Sequence, residues 1–180
     1  MKRLIAMSSR TLPALPNRRT LLLAVSALVA GPLLARTASD KPLLEIWKDP
    51  QCGCCHLWVE HLQANGFAVQ IHDVGNTAAR KRLGMPEKLG SCHTARVAGY
   101  VIEGHVPATD IQRLLKDKPQ ALGLAVPGMP VGSPGMDGPE YKGRKDAYAV
   151  LLVKRDGSIS VFSRYAGNQP MAMHRHSRPA

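Results

Sequence analysis

The sequence predicts a single α/β domain in which a central mixed sheet is flanked by helices. Two observations predict this fold class. Segments that alternate apolar and polar residues, as half-buried strands do, are interleaved with segments whose apolar residues recur at helical spacing. In addition, 44% of the 180 residues are hydrophobic, which is enough for a core of ordinary size. Because aromatic residues make up only 4% of the chain, we expect an aliphatic core.

The first part of the domain is predicted to be a β-α-β unit followed by a short helix. Residues 43–48 form the first strand, and residues 54–65 form a helix that ends at Asn65-Gly66. Residues 67–74 alternate as a second strand, and residues 76–83 form a short basic helix. The apolar stripe of the first helix, at the spacing i, i+3, i+4, i+7, consists of Cys55, Trp58, Val59 and Leu62.

The second part is predicted to contain one strand, one helix and a C-terminal hairpin. Residues 96–103 form the strand, and residues 107–116 form a helix that begins with a proline. A hairpin of residues 147–153 and 158–165 turns at Asp156-Gly157. Between helix and hairpin, residues 123–143 contain four prolines and six glycines and should form a long loop. Long loops inside compact domains usually have a function, so we expect this one to contribute to a functional site.

This order of elements, with a C-x-x-C pair at the start of the first helix, is that of a thioredoxin-like domain. We therefore predict a thioredoxin-like domain over residues 40–166 and a flexible tail over residues 167–180. The tail has soft ligands that could collect copper, although an inert solvated tail is the alternative. These ligands are Met171, Met173, His174 and His176.

The net charge of +11 is concentrated in an N-terminal segment with the features of an export signal. Residues 1–39 hold six of the 24 Lys and Arg residues and no acid, which leaves 18 bases against 13 acids, a balance of +5. A basic start, an apolar run of 15 residues from 21 to 35, and small residues beyond it predict export to the periplasm. The stretch Asn-Arg-Arg-Thr-Leu-Leu at 17–22 is similar to a twin-arginine signal. A membrane-anchoring helix is the alternative, but the apolar run is short for a membrane span.

Three of the four cysteines lie in four consecutive residues, Cys52-Gly53-Cys54-Cys55. Cys52 and Cys55 have the spacing used for dithiol redox chemistry, whereas Cys54 adds a C-x-C pair suited to a soft metal. The dipole of the following helix favours the thiolate, which is both the nucleophile and the ligand form. Because the site has more thiols than a redox pair needs, metal binding is the leading hypothesis.

The fourth cysteine, Cys92, precedes the strand predicted at 96–103 and is followed by His93. In a thioredoxin-like fold this position faces the dithiol, and it normally holds a cis proline. The fold therefore predicts that four sulfurs and an imidazole converge. A disulfide between Cys92 and one of the other three cysteines is the alternative, since an exported protein meets an oxidising compartment.

The donor set favours copper over zinc. Thiolates and thioethers select Cu(I), whereas structural zinc prefers four Cys or His ligands from well-separated pairs. Because Cys54 and Cys55 are adjacent and point in different directions, bridging thiolates in a polynuclear cluster are more natural than one chelated ion. Four Cu(I) ions against four thiolates would be neutral.

Three further residues are candidate ligands. Met129 and Met136 lie in the Pro/Gly-rich loop, away from any periodic apolar face that could bury them, although methionine more often fills cores. His105 follows the strand predicted at 96–103, at the end of the fold where the site is expected. It is a candidate ligand or a donor behind a ligand, and a helix-capping or merely exposed histidine is the alternative. His56, His61 and His72 are not predicted as ligands, and His72 should be structural.

Several separated motifs resemble the CopG-like family of exported CxCC proteins, over roughly residues 43–162. The motifs are Asp49 to Cys55, Ser91 to Thr94, Gly99 to Ala108 and Gly123 to Pro130. The resemblance implies a thioredoxin fold, a role in bacterial copper resistance, and metal binding by Cys52, Cys54, Cys55 and Cys92. It leaves open whether copper is stored, passed on or changed in oxidation state.

The sequence therefore predicts an exported protein that holds Cu(I) in a thiolate-rich site and contributes to copper resistance, with Cu(I)/Cu(II) interconversion as a further expectation. Copper ions and other periplasmic copper-handling proteins are the expected partners. One rival is a thiol-disulfide oxidoreductase that uses Cys52 and Cys55, and another is a zinc-stabilised structural module. Nucleic-acid binding is not expected, because most of the excess charge lies in the export segment and aromatic stacking surfaces are few.

Overall fold

The structure, a computed structural model, describes residues 41–168. These residues form seven strands and three α-helices. In chain order they are β1 (Leu43–Lys48), α1 (Gly53–Ala64), β2 (Ala68–His72), α2 (Thr77–Leu83), β3 (His93–Val97), β4 (Tyr100–Glu103), α3 (Ala108–Asp117), β5 (Gly123–Ala125), β6 (Tyr148–Val153) and β7 (Ile159–Tyr165). Within this part of the chain, no helix combines the length and apolar character needed to cross a membrane.

All seven strands join one mixed sheet in the order β2-β1-β3-β4-β5-β6-β7. Strands β1 and β2 are parallel, as are β4 and β5, and the remaining neighbours are antiparallel. The antiparallel pairing of β1 with β3 places Lys48, the last residue of β1, opposite His93, the first residue of β3. The segment after β1 and the segment before β3 therefore meet at the same end of these two strands.

The strand predicted over residues 96–103 is wrong as a single element. The chain turns at Ala98-Gly99, where both residues have positive φ values of 46° and 85°, and β3 and β4 form a tight hairpin. A two-residue turn of this kind requires φ above zero at both positions. Asn, Asp or Gly usually indicates such a turn at its first position, whereas alanine does not. The consequence is that β3 begins at His93, directly after Cys92.

The main core is largely aliphatic and lies between the sheet and helices α1 and α3. The predicted stripe of α1 is buried, and Trp58 within it is fully covered. Its indole N–H donates to the carbonyl oxygen of Val106 at 2.9 Å, which fixes α1 against the segment that leads into α3. From α3, Ile111 and Leu114 enter the same core.

The Pro/Gly-rich segment is less irregular than predicted. Its first residues form β5, which pairs with β4 and β6, and residues 139–141 form one turn of 3₁₀ helix. The hairpin of β6 and β7 lies where the sequence places it. The predicted export signal and the tail ligands at 171–176 lie outside the described residues.

Candidate metal centre

The first part of the site is the turn between β1 and α1. The amide N–H groups of Gln51 and Cys52 donate to the Asp49 side chain and to the Asp49 carbonyl oxygen, at 2.8 and 3.1 Å. This turn ends β1 and makes Cys52 the N-cap of α1. Cys52 and Cys55 form a disulfide across the first helical turn, with their Cα atoms 5.3 Å apart. The alternative of a disulfide from Cys92 to the triplet is not what the structure contains.

The remaining two cysteines are thiols that lie beside this disulfide. The sulfur of Cys54 is 3.6 Å from that of Cys52 and 3.9 Å from that of Cys92. All four sulfurs lie within 4.8 Å of one another. Three of the four sulfurs belong to partly exposed residues, and once the disulfide is reduced the group would offer a soft metal four thiolates.

The loop that carries Cys92 is held by a buried charge network. The fully buried Glu103 carboxylate accepts hydrogen bonds from the Ser91 amide at 2.7 Å, the Thr94 hydroxyl at 2.6 Å and the Arg80 guanidinium at 2.9 Å. Arg80 and Asn76 also donate to the Ser91 carbonyl oxygen. The network fixes the backbone on both sides of Cys92.

Two buried histidines line the inner side of Cys92. Nδ1 of His93 and Nε2 of His105 lie 3.3 and 3.1 Å from the Cys92 sulfur. Nδ1 of His105 lies 2.8 Å from the carbonyl oxygen of Pro134. Because a carbonyl can only accept, the proton of neutral His105 is on Nδ1, and the lone pair of Nε2 points at Cys92. This is the tautomer in which Nε2 can bind a metal.

His93 is packed more tightly than His105. Its ring lies against Trp58, with the ring centroids 4.1 Å apart, and its Nε2 atom has no hydrogen-bond partner within residues 41–168. The atoms of Cys92, His93 and His105 form a second group of possible ligands that shares Cys92 with the four-sulfur group. The structure therefore brings six of the predicted site residues together in one continuous cluster. They are Cys52, Cys54, Cys55, Cys92, His93 and His105.

Burial controls the protonation of this cluster. Desolvation, reinforced by the neighbouring Cys54 sulfur, raises the pKa of Cys92 to about 12. Desolvation lowers the pKa of His93 well below its usual value, with the neighbouring His105 as the next cause, and it also lowers the pKa of His105. At neutral pH the metal-free site therefore holds a protonated Cys92 and uncharged imidazoles, which are already in their ligand form.

The two predicted loop methionines differ in their surroundings. Met129 is 52% exposed, and it follows Gly128, which is hydrogen-bonded to Gly90 and Ser91 near Cys92. Met136 is buried, and the Tyr141 hydroxyl donates to its sulfur at 3.5 Å. The expectation that no surface could bury Met136 is wrong, because the loop folds back on itself through hydrogen bonds between Gly132, Ser133 and Met136.

The other histidines have structural contacts, as expected for His72. His72 pairs with Glu45 and stacks on Trp47. Nε2 of His61 accepts a hydrogen bond from the Ala108 amide at the start of α3. His56 is exposed, and its Nε2 lies 3.2 Å from the ammonium of Lys48.

Sequence reasoning missed the charged residues that support the cluster. Lys48 is fully buried at the end of β1 and pairs with Asp73 at 2.6 Å. Glu103 and Arg80 are equally absent from the predicted set. A signal was available for Glu103, which ends the otherwise apolar strand β4, and for Lys48, which ends β1 directly after Ile46 and Trp47, but their partners depend on which strands are neighbours.

The loop that carries Met136 packs directly on the first turn of α1. A Cβ atom added to Gly135 would lie 2.6 Å from the carbonyl oxygen of Cys54 and 2.8 Å from the amide nitrogen of Trp58. Only glycine permits this approach, and its φ of +83° is a conformation that other residues rarely adopt. The Pro/Gly-rich loop is thus part of the wall around the cysteines.

The fold and the cluster define an α/β protein with a seven-stranded mixed sheet and a cysteine-rich candidate metal centre. Two solved structures, titled copper resistance protein CopG form 1 and form 2, are 45% and 44% identical to this chain. Each match has a TM-score of 0.65 and covers 71% of this chain and 100% of the other. A family model described as a protein of unknown function, DUF411, matches residues 89–136. No curated protein matches the chain significantly.

The chain therefore belongs to the CopG family of copper resistance proteins, as its CxCC motif predicts. The match to the family model spans Cys92, the β3–β4 hairpin, His105 and the loop through Met136. That segment contributes every part of the cluster except the CxCC turn.

Proposed function

We propose that this protein is an exported copper-binding protein that holds Cu(I) in a thiolate-rich site and contributes to copper resistance. The observation that carries the proposal is the convergence of four cysteine sulfurs within 4.8 Å of one another. Two relatives of known structure are copper resistance proteins, which supports copper as the metal. The proposal includes export by the N-terminal segment to the periplasm and passage of copper to or from other periplasmic copper-handling proteins.

The chemistry of the donors favours the cuprous ion. Thiolates are soft ligands, and Cu(I) is the biological copper ion that they select. Full reduction of the site supplies four thiolates, and four Cu(I) ions would neutralise their charge. A neutral polynuclear cluster avoids the cost of placing several negative charges in a partly buried site.

The proposed ligands fall into three groups. Cys52, Cys54, Cys55 and Cys92 bind Cu(I) directly. His105 and His93 present imidazole nitrogens to the inner side of Cys92, and we propose them as further donors. Met129 and Met136 belong to the loop beside the cluster, and Met129 has the more accessible thioether.

The same framework supports a thioredoxin-like description of the first half of the domain. A parallel β1–β2 pair, an antiparallel β3–β4 hairpin and α3 follow each other, with a dithiol at the N-terminus of α1. The Cys52–Cys55 disulfide specifically favours a second candidate function, a thiol-disulfide oxidoreductase. Copper binding uses Cys54 and Cys92 as ligands, whereas disulfide exchange by Cys52 and Cys55 does not need them.

Anaerobic titration of the reduced protein with Cu(I), against a competing cuprous chelator, tests the proposal. Mass spectrometry under native conditions reports the copper count at the same time. Copper binding requires that Cys54→Ser or Cys92→Ser lowers the Cu(I) affinity by more than the ~10-fold to 100-fold that outer-sphere changes cause. The matched control is His72→Gln, which alters a histidine outside the cluster.

A disulfide-reduction assay on the same variants tests the rival. An oxidoreductase would retain insulin reduction in Cys54→Ser and Cys92→Ser, since only Cys52 and Cys55 exchange disulfides. Unchanged Cu(I) affinity in both variants, together with retained reductase activity, would overturn the copper proposal in favour of the rival.

A further inference from the structure

The structure divides the four sulfurs into an oxidised pair and a reduced pair. Cys52 and Cys55 are joined in a disulfide, whereas Cys54 and Cys92 are thiols 3.9 Å apart. The two pairs are in contact with each other. The Cys54 sulfur is 3.6 Å from that of Cys52, and the Cys55 sulfur is 3.8 Å from the Cys92 carbonyl oxygen. A copper ion at one pair would therefore lie beside the other pair.

We propose that the two pairs have different roles in copper chemistry: Cys52 and Cys55 reduce Cu(II), and Cys54 and Cys92 retain the Cu(I) that forms. This inference rests on the proposed function and specifies how the same site would change the oxidation state of copper. Two Cu(II) ions each gain one electron. The Cys52 and Cys55 thiols lose two electrons and two protons and form the S–S bond, and the protons leave to solvent.

The geometry of the C-x-x-C pair suits it to be the electron donor. Its Cα atoms are 5.3 Å apart, within the range that a disulfide spans without backbone movement. The structure contains its oxidised form with α1 intact from Gly53 onward. The donor pair can therefore lose two electrons while the helix stays in place.

The second pair is equipped to accept copper in either oxidation state. Its Cys92 sulfur lies 3.1 Å from Nε2 of His105 and 3.3 Å from Nδ1 of His93. Imidazole is a common ligand for copper, and thiolate favours Cu(I). Copper that arrives as Cu(II) can thus be held by sulfur and nitrogen, and after reduction the two sulfurs of Cys54 and Cys92 hold the product.

The accessibility of the two sulfurs decides which of them a reductant attacks when the Cys52–Cys55 disulfide is reduced again. Cys55 is fully buried, whereas Cys52 is partly exposed at the helix N-cap. A dithiol reductant would attack the sulfur of Cys52, release the Cys55 thiolate and then leave as its own disulfide. The disulfide form of the protein is therefore an intermediate that still carries two metal-binding thiols.

Anaerobic addition of cupric ions to the fully reduced protein tests the division of roles. A cuprous chelator that absorbs visible light counts the Cu(I) formed, and alkylation with peptide mass spectrometry maps the disulfide. We expect two Cu(I) ions for each disulfide, and we expect the disulfide at Cys52–Cys55. Formation of a Cys54–Cys92 disulfide at the same rate, or four Cu(I) ions per chain, overturns the proposal.

Two double variants separate donor from acceptor. Cys52→Ser/Cys55→Ser should lose the reduction of Cu(II) and bind fewer Cu(I) ions than the wild type, while it keeps those held by Cys54 and Cys92. Cys54→Ser/Cys92→Ser should still form the Cys52–Cys55 disulfide when Cu(II) is added, at a lower rate because the Cu(II) is held less well, and should lose the Cu(I) that forms to a weak competing chelator. Reduction of Cu(II) by the first variant at the wild-type level overturns the proposal, and disulfide mapping on the wild-type chain decides the matter if a variant does not fold.

Failure of this inference is distinguishable from failure of the proposed function. The reduced wild-type protein is also titrated with Cu(I) in the absence of Cu(II). If Cu(I) binds tightly but cupric ions produce no Cys52–Cys55 disulfide, the division of roles is wrong and the copper-binding function stands. If Cu(I) does not bind, both are wrong.

Discussion

Replacing Gly135 by alanine should push the Pro/Gly-rich loop away from the first turn of α1. The new Cβ atom would lie 2.6 Å from the Cys54 carbonyl oxygen and 2.8 Å from the Trp58 amide nitrogen. Both atoms belong to the helix backbone, so neither can rotate out of the way as a flexible side chain could. The loop itself must move, and the wall beside Cys54 opens.

The size of the effect follows from two terms. Alanine in the left-handed region, at a φ of +83°, costs about 1–2 kcal/mol. The forced contact adds about 1–3 kcal/mol, the usual cost of excess volume at a packed position. We therefore expect the free energy of unfolding to fall by about 2–5 kcal/mol.

Gly143→Ala is the matched control. Gly143 has a φ of +73°, but a Cβ atom there would meet nothing within 4 Å. It should lose only the backbone term, about 1–2 kcal/mol. The difference between the two variants isolates the contact with α1.

Urea unfolding of the metal-free oxidised protein, followed by tryptophan fluorescence, measures both variants. Trp58 is fully buried next to the contact and reports its loss. A lower midpoint at unchanged slope is expected for Gly135→Ala, with a smaller shift for Gly143→Ala. Equal losses in the two variants would show that the loop does not press on α1, and the description of the site wall would be wrong.

Three further predictions concern the cluster and its support. Glu103→Gln should lower the free energy of unfolding by about 3–5 kcal/mol, because it leaves the Arg80 guanidinium without its buried charge partner; chemical denaturation measures this, and a change near zero contradicts the network. Since burial raises the pKa of Cys92 to about 12, its alkylation in the oxidised protein should be slow at neutral pH and keep accelerating into strongly alkaline solution. Peptide mass spectrometry measures the alkylation rate, and a rate that levels off near the pKa of an ordinary cysteine would show that Cys92 is not buried as described. His105→Gln should weaken Cu(I) binding by at least about 10-fold, the smallest loss expected even for a residue that only supports a ligand, whereas His72→Gln should leave it unchanged. Equal affinities of the two variants in competition titrations would exclude His105 from the site.

Much of the fold could be predicted from local patterns. The strand β1 has the predicted bounds, and the helix with Cys55, Trp58 and Leu62 inward differs by one residue at each end. These elements have strong periodicity, and tertiary packing reinforces it. The hairpin at Ala98-Gly99 and the three-residue strand β5 were not predictable, because a positive φ at alanine and a short pairing strand leave no periodic signal.

The proximity of Cys92 to the triplet could be predicted from the order of elements. The antiparallel pairing of β1 with β3 produces it, since it aligns the end of one strand with the start of the other. Burial was harder to predict. Met136 is covered by contacts within its own loop and by Tyr141, and no repeat in the sequence indicates such contacts.

The supporting charges could not be assigned from the sequence. Glu103 lies on β4, Arg80 on α2 and Ser91 before β3, and only the assembled sheet brings them within hydrogen-bond distance. Lys48 and Asp73 follow the same rule, from the end of β1 and the segment after β2. Residues that hold a site in place depend on long-range pairing, whereas the candidate ligands were identifiable by type and spacing.

X-ray absorption at the copper edge of the protein loaded anaerobically with Cu(I) measures the metal's immediate neighbours directly. We expect the edge of a cuprous ion, scattering dominated by sulfur, and a contribution from neighbouring copper atoms. A first shell made up of oxygen and nitrogen alone would mean that the four cysteines do not hold the metal, and the central claim would be wrong.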